Sequence, residues 1–225
     1  MAILRYTASA DTTITNAFEA DLSTRGTGSN MGYADSVEIF SIYGQQSGST
    51  DGQSQEISRA LVQFPINEVS ADRTAGTVPA SGSVSFYLKM YNAEHPFTLP
   101  QDFNLVVAPV SQSWSEGTGL DMDEYKDLGS SNWINANSTT AWTNIGGDYL
   151  SNNNENISFP LGYENIELDV TDIVEHWIKG AAGGSYENYG FGIRLTASQE
   201  GYYSSSTGAD AGSLIHNPAG ATESY

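Results

Sequence analysis

The sequence predicts an all-β protein, a jelly-roll-like antiparallel β-sandwich with one short helix, and three observations carry that prediction. Apolar and polar residues alternate with a period of two in several segments, the rhythm of strands that lay one face on a core. Segments rich in Gly, Ser and Asn separate them, as turns require. A single stretch carries apolar residues at helical spacing.

The clearest strand faces are Ala60, Val62, Phe64 and Ile66, then Val84, Phe86, Leu88 and Met90, then Tyr189, Phe191, Ile193 and Leu195. They read as half-buried strands, and Val62, Phe64, Phe86, Leu88, Phe191 and Ile193 are expected to line one core between two sheets. Further strands are expected in 37–42, 103–110 and 166–170. The helix is expected over 172–180, where Ile173, Val174, Trp177 and Ile178 share a face, with Thr171 or Asp172 as N-cap and Gly180 at the exit. Between 111 and 160 the chain is irregular but holds Trp114, Trp133 and Trp142, too much apolar area to leave in water, so an ordered elaborate loop region is expected. No repeat or linker splits the chain. The expected organisation is one sandwich domain over 1–203 and a C-terminal tail over 204–225 that either continues further or docks on a partner, since the tail has few core-forming residues.

Eight basic residues against 27 acidic ones give a formal charge of −19. Such a surface repels phosphates and anionic lipids, which excludes nucleic-acid binding and disfavours membrane association. It attracts cations and basic partners. There are no cysteines, so disulfides and thiolate metal sites are excluded. The start at Met1 lacks the charged and apolar regions of a signal peptide, so synthesis in the cytoplasm without export is expected.

Several groups invite a chemical reading. Glu116, Asp148, Glu167 and Asp169 offer carboxylates for a glycosidase pair, but in so acidic a chain some acids always look paired, and Asp169 suits a cap at the helix entry. No enzyme activity is expected. Asp121, Asp123 and Asp127 place oxygens at alternate positions, as Ca²⁺ requires, yet the run lacks the loop glycine and distal glutamate of an EF-hand. A solvated acidic loop is the alternative, and no other cofactor is expected. His95, His176 and His216 lie in no nucleophile elbow or zinc motif, and Gly117-x-Gly119 and Gly183-Gly184 in no phosphate loop. Trp114, Trp142 and Trp177 read as core rather than as a sugar platform. Tyr125, Tyr186, Tyr202 and Tyr203, in loop-like sequence, are the candidates for ligand stacking or an interface rim.

Six segments in order resemble the DNRLRE-type β-sandwich domain: 59–64, 83–88, 110–117, Trp142 with Gly146-Gly147-Asp148, 168–177 and 188–191. That resemblance implies a jelly-roll-like sandwich of surface proteins, some relatives of which resemble carbohydrate-binding modules. The wording of 116–125, with Ser131-Asn132-Trp133-Ile134-Asn135 and Ala141-Trp142-Thr143, looks like structural proteins of tailed, especially marine, bacteriophages. It implies a virion component, such as a head decoration, appendage or tail-associated sandwich, in several copies and in contact with other virion proteins. The alternative it leaves is a carbohydrate-binding module for host or environmental polysaccharide.

Overall fold

A computed structural model describes residues 3–43, 55–94, 98–120, 129–180, 186–203 and 214–215. The first strands are Ala10–Thr15 (β1), Ser41–Tyr43 (β2) and Gln55–Gln63 (β3), followed by helix Ile66–Thr74 (α1). Tyr87–Met90 (β4), Phe103–Pro109 (β5), Asn135–Asn137 (β6), Thr140–Ala141 (β7), Glu155–Phe159 (β8) and Ile166–Asp169 (β9) come next. Helix Thr171–Lys179 (α2), strand Phe191–Leu195 (β10), the helical turn Ala197–Glu200 (α3) and the strands Tyr202–Tyr203 (β11) and Leu214–Ile215 (β12) complete the order.

The structure is all-β and sandwich-like. The main sheet runs β1-β3-β10-β5-β8, with β2 also on β3, and every pairing is antiparallel. A ribbon of β4 and β9, in the register Leu88↔Leu168, covers one face together with α2. Between them lies the larger core, with Val62, Leu88, Phe191 and Ile193 buried at its centre as the alternation predicted. Phe64 and Phe86 sit half-buried at its margin.

Three features differ from expectation. Among the described residues three helices form rather than one; α1 arises because Pro65 ends the ladder after Gln63: it has no N–H to donate, and its fixed φ suits a helix start. Ile66 therefore belongs to α1 rather than to a strand, while Val84 and Phe86 precede β4. The N-cap of α2 is Val170, without a side-chain cap. Asp169 Oδ1 instead accepts the Thr171 N–H (2.9 Å), and Thr171 Oγ1 accepts the N–H of Phe86 (2.9 Å), tying helix to ribbon. Gly180 closes the helix as predicted, with φ of 64°.

The third difference is in the central strands, which are buried on both faces. Along β3, Ala60 and Val62 enter the larger core, while Ile57 and Leu61 point the other way into a second core with Ile14, Val110, Trp114, Trp133, Ala136 and Trp142. The tryptophan-bearing segment after β5 is thus a covering layer. Trp114 Nε1 donates to the carbonyl of Tyr189 (2.7 Å), and Trp142 Nε1 to that of Asn132 (2.8 Å), fixing it to its surroundings. Gly192 of β10 lets this layer close, since a Cβ there would run into the Tyr149 ring.

Helix α1 is held to α2 by Arg73 and Glu175, whose Nη2 and Oε1 lie 2.7 Å apart. The hydrogen bond and charge of Arg73 hold Glu175 below the usual carboxylate range. Tyr6 donates to Asp72 Oδ2 (2.6 Å); loss of water and that carboxylate push its pKa up to about 12. Burial likewise raises Tyr149, against the opposing charges of Arg59 and Arg194. A tyrosine in the unfolded chain ionises near 10, so both groups hold their protons more tightly when folded. The stabilisation from Tyr6 is complete below pH about 10 and is lost as the pH rises towards about 12, and that from Tyr149 is lost in the same direction above pH about 10. The urea midpoint is expected to fall over that window, and to fall less steeply in a Tyr6→Phe, Tyr149→Phe double variant. An identical slope in both proteins would refute this linkage.

Candidate functional site

The outward face of the β4–β9 ribbon carries two strongly exposed tyrosines, Tyr87 on β4 and Tyr91 just past its end. Leu88 and Met90, with Ile166 and Leu168 opposite, turn towards the larger core, so the alternation sends Tyr87, Lys89 and Tyr91 outwards. Tyr87 is 54% exposed and Tyr91 80%. Across the ribbon, Tyr87 pairs with Asp169 and Lys89 with Glu167, the latter as an exposed ion pair at 3.0 Å.

At the Tyr91 end, Asn92 fastens the loop that joins β8 to β9. Its N–H donates to Asn165 Oδ1 (2.9 Å) and its Nδ2 to the carbonyl of Gly162 (3.0 Å). This sets Leu161 and Tyr163, 61% exposed, beside the end of the ribbon. At the Tyr87 end, Asp169 forms part of the wall of a shallow depression of about 300 Å³, lined by Glu155, Asp169, Val170, Thr171, Asp172 and Ile173. Nearby, Tyr186 stacks on His176 with centroids 5.1 Å apart, and its hydroxyl accepts from Asn153 Nδ2 (3.0 Å). Burial, and then the charge of Asp172, raise the Tyr186 pKa. The strip thus offers aromatic faces and carboxylates, the chemistry of stacking, cation–π contact and charge-assisted hydrogen bonding.

The carboxylates singled out in the sequence are dispersed. Asp148 accepts the N–H groups of Thr143 (2.7 Å) and Asn144 (2.8 Å) and the Asn144 side chain, closing its own turn. Glu116 Oε1 accepts the N–H of Asp11 (2.9 Å), and Asp11 is raised by burial and then by the charge of Glu116. Glu167 and Asp169 lie on the ribbon. Gly117 and Gly119 press on Asn30, whose Oδ1 accepts the Gly119 N–H (3.0 Å), which is a packing role.

Tyr186 is half-buried against the larger core rather than free for stacking, because His176 and Asn153 hold it there. The backbones of Tyr202 and Tyr203 pair with Ile215 and Leu214, so part of the expected tail forms a strand. Asp121, Asp123, Tyr125 and Asp127, with His95, His216 and Gly183-Gly184, lie outside the described residues. Among the described residues no group of three or more His, Asp or Glu is placed to hold a metal ion, and no helix is long and apolar enough to cross a membrane. The sequence reading missed Tyr87, Tyr91 and Tyr163. The signal for the first was present: the alternation that gave Leu88 and Met90 to the core gives Tyr87 to the outside.

No family model, curated protein or solved structure matches this chain.

Proposed function

We propose that this chain is a structural protein of a tailed-bacteriophage virion, present in several copies and acting through contacts with other virion proteins rather than by catalysis. The observation that supports it best is the ribbon face, where Tyr87, Tyr91 and Tyr163 stand exposed beside paired and unpaired carboxylates. Tyrosine supplies large contact area at low entropic cost and is enriched at interfaces. The phage-like wording of 116–125 and 131–143 supports the particle setting. Mass spectrometry of purified particles carrying the encoding genome is the test. The chain is expected there in stoichiometric amount, and its absence from otherwise complete particles would sink the reading.

The same rings favour a second reading, a carbohydrate-binding module, because exposed tyrosines flanked by carboxylates also suit the apolar face and hydroxyls of a sugar. A glycan array separates the two. Saturable binding to one glycan class, abolished by Tyr91→Ala, would carry the second reading.

A further inference from the structure

We infer that the outward face of the β4–β9 ribbon, with the depression at its Tyr87 end, docks a basic segment of a partner protein, one that presents arginine or lysine side chains. This rests on the reading of the chain as a contact-making part of an assembly, and it names the partner's chemistry.

Charge commits the face to that occupant. Glu155, Asp169 and Asp172 border the depression, and none of the described residues lining it is basic. Lys89 already pairs with Glu167. Covering three carboxylates with a neutral surface would strip them of water without compensation, which is strongly unfavourable. A second copy of this chain would bring another body of charge −19 against the same acids. Guanidinium or ammonium groups spaced along a segment reverse both terms: one pairs with the carboxylates beside the Tyr87 ring, and another lies on the Tyr91 ring at the opposite end of the ribbon. The fold itself uses this chemistry, with Arg25 placed 3.7 Å over the Phe18 ring and Arg194 5.3 Å over that of Tyr149. A hollow of about 300 Å³ accepts the end of a side chain.

The probe is a fluorescein-labelled peptide of alternating Arg and Ser, followed by anisotropy against the full chain at low and at raised salt. Binding that weakens with salt is expected. A Glu155→Gln, Asp172→Asn double variant is expected to weaken it about tenfold, and Tyr91→Ala several-fold. Asp35→Asn with Glu38→Gln, the same change of charge on exposed residues where the chain runs beside β1 and β3, is expected to stay within about twofold. Unchanged thermal midpoints confirm that the variants fold. Equal weakening by both double variants would mean a diffuse field rather than a site, and would overturn the inference. So would no binding at low salt, or binding of a neutral oligosaccharide at the tyrosines in place of the peptide. Particle association of the unaltered protein is measured separately, so the docking inference can fail while the assembly reading stands.

Discussion

Replacing Glu200 by alanine is expected to destabilise the fold by about 3–5 kcal/mol, the usual range when one partner of a buried ion pair is removed. Glu200 is 0% exposed and Arg59 5%. The pairing is bidentate, Nε to Oε1 at 2.8 Å and Nη2 to Oε2 at 2.6 Å, and Arg59 Nη1 donates to the Gly146 carbonyl (2.7 Å). Tyr149 donates to that same carbonyl (2.8 Å). One side chain on β3 therefore binds α3, at the far end of the sequence, and the covering layer. Without Glu200 the guanidinium stays buried with its charge uncompensated. Arg59→Met combined with Glu200→Leu removes both charges and is expected to lose much less, because no buried charge is left alone. Urea denaturation of the three proteins is the measurement. A loss below about 1 kcal/mol in Glu200→Ala would show that water reaches Arg59 and that the pair is not the lock described.

That lock was invisible in the sequence, and the reason is physical. Arg59 falls within an apolar stretch, but a charged residue there reads equally as a solvent-facing position of an alternating strand. Only the layer that covers the second face, brought in from residues after β5, makes it interior. The alternation of Val62, Phe191 and Ile193 was legible because local period and burial agree on that side of the sheet. The contiguous run Ala60-Leu61-Val62 carried the other half of the message, since strands buried on both faces lose their alternation. Helix α1 was hidden for a different reason: Ile66 continued the period-two count past Pro65, and the proline outweighed the pattern. At the ribbon, a sequence search for stacking residues looked to loops and so chose Tyr186, whereas Tyr87 lies on a regular strand whose inward partners were already assigned to the core. The same alternation marks both faces of a strand.

The second large effect is expected at Trp133, whose replacement by alanine should cost about 3–5 kcal/mol. The residue is 0% exposed, and its neighbours leave it no room to move: a Cβ on Gly146 would press on the indole ring, and Arg59 lies 5.2 Å over it. Its N–H donates to the Thr27 carbonyl (3.1 Å) and its carbonyl accepts from Gly146 N–H (2.8 Å), so the ring fills the second core from a backbone already fixed at both ends. Truncation must then leave a cavity rather than allow collapse, which places the loss towards the upper part of that range. Because Trp133 supports Arg59, the variant is also expected to reduce the further effect of Glu200→Ala, a non-additivity measurable in a double-mutant cycle. Tyr91→Ala on the outward face of the ribbon, by contrast, should change stability by less than about 0.5 kcal/mol. If the reverse were found, with Trp133→Ala tolerated and Tyr91→Ala destabilising, the tryptophan layer would not be a core and the ribbon face would not be free for a partner. Urea midpoints of the two variants, with near-ultraviolet circular dichroism to follow the tryptophans, decide between these outcomes.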